Sequence, residues 1–132
     1  MGRVSFDFDL CLTREDVQEY CKELIDRGFT VFVTTLRYDE MRKHLWEGSG
    51  YPATNDDLWE IVDKLGIDHR HVVFTCLEPK SQHLKHSQVL FHLDDMWSVL
   101  DDLYVNTDIQ GVNVTKDDWK EKCELLLNLQ HV

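Results

Sequence analysis

Two aspartates stand two residues apart at the end of an apolar run, Val4-Ser5-Phe6-Asp7-Phe8-Asp9. A second acidic pair, Asp94-Asp95, ends another such run, Gln88-Val89-Leu90-Phe91-His92-Leu93. Between them in the chain come two adjacent hydroxyls, Thr34 and Thr35, and a lysine, Lys80, just after Pro79. Carboxylates gathered at this density suit a hard cation such as Mg²⁺, which takes one or two of them and keeps waters or phosphate oxygens. A hydroxyl and a lysine can hold the oxygens of a phosphoryl group, whose transfer depends on positioning and charge neutralisation. A carboxylate can itself attack phosphorus and form an aspartyl-phosphate. Each piece alone has an ordinary explanation. Asp-Phe-Asp makes a solvated turn, Asp94-Asp95 an N-cap, and Thr34-Thr35 is plain strand composition. Their order, and their shared position after strands, is what points to chemistry.

For these residues to meet, the runs that carry them must be neighbouring strands of one sheet. Strands are expected at residues 4–8, 29–34, 71–75, 88–93 and 111–114. Between them the spacing predicts helices. Thr13 and Asp16 form a capping box ahead of Val17, Tyr20, Cys21, Leu24 and Ile25, and Gly28 ends that helix. Thr54 and Asp57 cap a second, with Leu58, Ile61, Val62 and Leu65 on one face and Gly66 after it. A short helix starts near Pro79 and another covers Met96–Leu103. Thr115 and Asp118 cap the last, which turns Trp119, Cys123, Leu126 and Leu127 inward. Residues 36–53 are the least regular, with a short helix over Met41–Trp46 before the Gly48-Ser49-Gly50 break.

Strands alternating with helices imply βαβ units and a three-layer α/β/α sandwich around a mainly parallel five-stranded sheet of Rossmann type. Ligands bind beyond the carboxyl ends of such strands, where Asp7, Asp9, Thr34, Thr35, Asp94 and Asp95 are expected, with Lys80 close by. One run fits less well. Val4-Ser5-Phe6-Asp7-Phe8 alternates apolar with polar, whereas a strand covered on both faces should be more uniformly apolar.

Val4–Leu12 resembles motif I of the haloacid dehalogenase-like hydrolases, an apolar strand followed by DxD. Phe32-Val33-Thr34 resembles motif II, Lys80 the motif III lysine, and Leu90–Asp95 the DD form of motif IV. The resemblance covers roughly residues 3–95 in the right order, and it implies a phosphatase. Asp7 would be the nucleophile, and Asp9 the general acid and then the base. Mg²⁺ would be held by the Asp7 side chain, the Asp9 main-chain carbonyl and Asp94, with Asp95 acting directly or through water. Thr34, or Thr35 in its place, and Lys80 would hold the phosphoryl oxygens. Two positions depart from the pattern: Leu10 and Cys11 stand where the family usually has Gly and then Thr or Val. A homologue that keeps the cation site without turnover is therefore the alternative expectation.

No stretch is long enough for the family's inserted cap, so residues 1–132 are expected to be one capless domain with an open site. Such a site implies a bulky substrate, a macromolecular end, or a lid lent by another subunit; a small phosphorylated molecule also stays open. Arg37, with Arg42 and Lys43, offers a local anion site after the second strand, although such clusters are commonly solvated helix faces.

The chain has 132 residues, 42% of them hydrophobic, and 25 Asp+Glu against 14 Lys+Arg give a net charge of −11. That excess repels phosphate backbones and argues against strong general nucleic-acid binding. No run approaches the length of a membrane span and the N-terminus lacks a signal-peptide core, so a cytoplasmic protein is expected. Cys11, Cys21, Cys76 and Cys123 contain no CxxC pair and read as free thiols. The histidines, Cys76 included with them, have no finger-like zinc spacing. A two-component receiver would carry its acidic pair after strand one and its phosphorylated aspartate after strand three, whereas here strand three ends in Thr75-Cys76 and the adjacent acidic pair comes late. The GxGxxG of a dinucleotide-binding domain does not follow strand one.

Overall fold

The apolar runs do pair side by side. In a computed structural model describing residues 2–46 and 54–129, five strands form one all-parallel sheet. They are β1 (Arg3–Phe6), β2 (Thr30–Thr35), β3 (Val72–Phe74), β4 (Val89–Asp94) and β5 (Gln110–Asn113), in the order β3-β2-β1-β4-β5. The helices are α1 (Glu15–Asp26), α2 (Asp56–Leu65), α3 (Lys80–Leu84), α4 (Trp97–Asn106) and α5 (Trp119–Leu129). Val4 and Phe6, Val31 and Val33, Phe91 and Leu93, and Val112 bury against Val17, Leu24, Leu58, Val62, Cys123 and Leu127 of α1, α2 and α5. On the opposite face Val89 and Phe32 pack with Leu84 of α3 and with Val99 and Leu103 of α4. The result is a three-layer α/β/α sandwich of Rossmann type, with the core split between two faces of one sheet.

The strand order positions the site. From β1 the chain builds outward through β2 to β3, then crosses back to lay β4 on the other side of β1 and β5 beyond it. The crevice at the carboxyl ends of β1 and β4 is therefore the topological switch point, where open α/β sheets bind ligands. Between those two strands the register slips by one residue, since Arg3 pairs with Val89 but Ser5 pairs with His92. Leu90 and Phe91 both pack toward the α1 layer as a result, and alternation returns His92 and Asp94 to the other face.

Several boundaries differ from the sequence expectation for identifiable reasons. β1 stops at Phe6 because residues Phe8–Leu12 close into a kinked loop, with Leu12 N donating to Asp7 O at 3.1 Å and Thr13 N to Phe8 O at 3.4 Å. That loop uses Thr13, so α1 begins at Glu15 without a capping box; the Asp16 carboxylate instead takes Arg14 and its neighbour's N–H on Val17. Thr115 caps no helix, for its N–H and hydroxyl both donate to Asn113 Oδ1. The expected helix at Met41–Trp46 is a 3₁₀ turn over Lys43–Trp46, and the Gly48-Ser49-Gly50 break lies outside the described residues. Gly66 ends α2 in the left-handed conformation its position suggested, at φ 75°.

Cys11, Cys21, Cys76 and Cys123 are free thiols. Among the described residues, no helix is long and apolar enough to cross a membrane.

Candidate active site

At the switch point a lysine sits between two aspartates. Lys80 opens α3 directly after Pro79, and its side chain is 1% exposed. Its Nζ donates to Asp7 Oδ1 at 2.8 Å and to Asp94 Oδ2 at 2.6 Å. Asp7 follows the last residue of β1 and is anchored by its own N–H to Leu93 O at 2.8 Å. Asp94 ends β4, and its second oxygen accepts the Met96 N–H at 3.1 Å. The sheet supplies both carboxylates and the far helix supplies the cation.

A buried polar chain runs away from this centre across three strands. His92 Nε2 lies 2.7 Å from Asp94 Oδ2, His92 Nδ1 lies 2.8 Å from Ser5 Oγ, and Ser5 Oγ lies 2.8 Å from Thr34 Oγ1. Burial first, and then the Lys80 charge, lower the His92 pKa, so the ring is neutral at pH 7. An ionised Asp94 then requires the imidazole proton on Nε2 and leaves Nδ1 to accept from Ser5, which in turn accepts from Thr34. The Ser5 that disturbed the alternation of β1 is thus a link in this chain.

Charge in the cluster is unevenly shared. Burial pushes the Asp7 carboxyl well above the usual carboxylate range; Lys80 pulls it back, and Asp94 pushes it up again. Burial also opposes ionisation of Asp94, but the His92 hydrogen bond and the Lys80 charge outweigh it and hold its pKa well below the ordinary value. Asp95, half-buried, is raised by burial, with the Asp94 charge adding to it. Oxygens of Asp7, Asp94 and Asp95 all lie within 4.8 Å of one another. Hard carboxylate oxygens at that separation could hold a magnesium-sized cation, which would offset the burial and the Asp94 charge that lift Asp7 and Asp95. The residues fit such an ion.

Asp9 faces a different partner. Arg37, 3% exposed, donates from Nε and Nη2 to the two Asp9 oxygens at 3.0 and 2.7 Å. The same guanidinium reaches Asp57 at the start of α2, at 2.7 and 2.9 Å, and lies 4.9 Å from the centre of the Phe8 ring. Arg37 therefore turns inward onto two carboxylates. Arg42 pairs with Asp39 and Lys43 with Glu40, so each member of the expected basic cluster already faces an acid.

A pocket of about 400 Å³ opens above the carboxylates, with Asp7, Asp9, Arg37, Lys80 and Asp95 in its lining. Asp94 lies beneath, fully buried. Thr34 and Thr35 are buried beside the site without lining that pocket. The Thr34 hydroxyl is committed to Ser5, and Thr35 Oγ1 accepts the Arg37 N–H at 3.2 Å. Leu10, although not glycine, sits in the left-handed conformation that favours glycine, at φ 57°, and Cys11 Sγ donates to Leu93 O at 3.5 Å.

Ser5, His92 and Asp57 belong to this network although the sequence pattern did not place them at the site. Ser5 and His92 could have been found as polar residues two positions before Asp7 and Asp94, hence on the same face of interior strands. Asp57 carried no such signal, because it read equally well as a helix cap. In comparisons with known proteins, no family model and no curated protein matches this chain.

Proposed function

We propose that this protein is a Mg²⁺-dependent phosphomonoester hydrolase of the haloacid dehalogenase-like kind, acting through an aspartyl-phosphate on Asp7. The observation that carries the reading is Lys80 held between Asp7 and Asp94, with Asp95 alongside, at the switch point of the sheet. Asp7, Asp94, Asp95 and the Asp9 main-chain carbonyl would hold Mg²⁺, which neutralises charge on the phosphoryl oxygens when bound. Lys80 supplies a second, fixed positive charge for those oxygens.

An Asp7 oxygen attacks phosphorus as the bond to the leaving oxygen breaks, and the Asp9 carboxyl gives its proton to that oxygen. Asp9 then takes a proton from water, the resulting hydroxide attacks phosphorus, and the Asp7–phosphorus bond breaks to release phosphate. For either role Asp9 must first leave the Arg37 guanidinium, which binds both of its oxygens. That same grip supports a second reading, a binding or regulatory protein that keeps the cation site and has no turnover.

Hydrolysis of 4-nitrophenyl phosphate and thermal melting, each with Mg²⁺ and with EDTA, separate the two. The hydrolase predicts turnover with Mg²⁺ that EDTA abolishes. A Mg²⁺-induced rise in melting temperature without turnover favours the second reading, and neither response removes both.

A further inference from the structure

The pocket over the carboxylates has two unlike halves. Its charged lining, the floor, is Asp7, Lys80 and Asp95 with the paired Asp9 and Arg37, while the walls that remain are apolar: Leu10, Leu45, Leu77 and Met96, with the rings of Tyr38 and Trp46 set edge to face at 5.9 Å. Leu10, Leu45, Leu77 and Met96 are 71, 56, 58 and 44% exposed. Large apolar side chains left in water and gathered on one concavity mark a surface that something apolar covers. Two of them are also held in a disfavoured backbone. Leu10 and Leu77 sit at φ 57° and 67°, a region that strains a non-glycine residue.

Resting on the hydrolase reading of the floor, we infer that the occupant is a small phosphate monoester whose organic part is a flat aromatic ring. The phosphoryl group matches Lys80 and the carboxylate-held cation, and the ring matches the leucine, methionine and aromatic walls. A pocket of about 400 Å³ is of the size that takes one small molecule. A polyol phosphate would bury hydroxyls against Leu10, Leu45, Leu77 and Met96, where their lost hydrogen bonds to water go unreplaced. The ring alone gains from leaving water there.

The test uses the intact chain with Mg²⁺ and two non-hydrolysable probes that share one head group, 1-naphthylmethylphosphonate and 2-hydroxyethylphosphonate. Calorimetry should give the naphthyl compound an affinity higher by about tenfold or more. Two variants alter the walls and leave the floor alone, Leu77→Asn and Leu45→Asn. Asparagine tolerates the left-handed conformation, so Leu77→Asn is expected to fold. Each should cut the preference by about threefold or more without changing 2-hydroxyethylphosphonate affinity. Equal affinities, a preference untouched by both variants, or no binding of either probe would overturn the inference. Hydrolysis of benzyl phosphate against glycerol 1-phosphate, both primary alkyl esters, reports on the other reading. Turnover of both esters with equal phosphonate affinities removes the ring preference and keeps the hydrolase. Ring-selective binding without turnover of either ester keeps the aromatic occupant and removes the hydrolase.

Discussion

Replacing Lys80 by methionine is expected to destabilise the metal-free protein by about 3–5 kcal/mol at neutral pH, the usual size when one partner of a buried ion pair is removed. The side chains concerned are 1, 8 and 0% exposed in Lys80, Asp7 and Asp94, so solvent cannot take over the lysine's role. Lys80 keeps its proton despite burial because both aspartates face it, which raises its pKa. Without it, two buried carboxylates lie against each other and against Asp95. In the folded state the Asp7 pKa must then rise further, and the Asp94 pKa must climb from its lowered value. A group with a raised folded pKa binds protons that the unfolded chain releases, so stability falls as pH rises through the interval above the unfolded value. The deficit of Lys80→Met should therefore shrink between pH 7 and pH 5, and millimolar Mg²⁺ should recover part of it. Urea denaturation at both pH values, in EDTA and in Mg²⁺, measures all three effects. A loss below about 1 kcal/mol with no pH dependence would show that the lysine is not the counter-ion described.

Asp7→Asn separates chemistry from folding. Asparagine keeps the shape and cannot form the acyl phosphate, so turnover should fall by at least about 10³-fold. Stability should stay within about 1 kcal/mol of the parent. The Asp7 carboxyl is the member of the cluster whose ionisation burial and Asp94 oppose, although Lys80 favours it, and Lys80 retains Asp94 in the variant. By the same linkage, the raised Asp7 pKa makes the parent lose stability as pH climbs through the range above about 4, and the variant lacks that loss. The Mg²⁺-induced rise in melting temperature should also be smaller, because one of three clustered carboxylates is gone. Undiminished hydrolysis by Asp7→Asn would remove Asp7 as nucleophile.

The parts of this arrangement that were legible share one property: local pattern and topology agree. Apolar runs ending in carboxylates or hydroxyls identified β1, β2 and β4 and the residues they deliver. The alternation of strand and helix yielded the parallel sheet, and Gly66 its helix end. What escaped is what long-range contact decides. The tight loop at Phe8–Leu12 is local but equally unannounced, because Leu10 adopts a glycine's conformation without being glycine. The inward turn of Arg37 depends on Asp57, twenty residues on, and a charge cluster reads identically whether it meets solvent or a buried carboxylate. His92 looked like one histidine among seven. Only its register opposite Ser5, set by the slip in β4, makes it a link between Asp94 and Thr34.

Leu10 carries a consequence for how this chain would respond to selection. Its backbone is strained, its side chain is 71% exposed, and glycine would suit the position better on both counts. A screen that rewards only resistance to heat should therefore drift toward glycine there, with a gain of about 1 kcal/mol. A screen that rewards retention of a ring-bearing ligand should hold the leucine. Robustness and recognition of such a ligand would pull this one position in opposite directions.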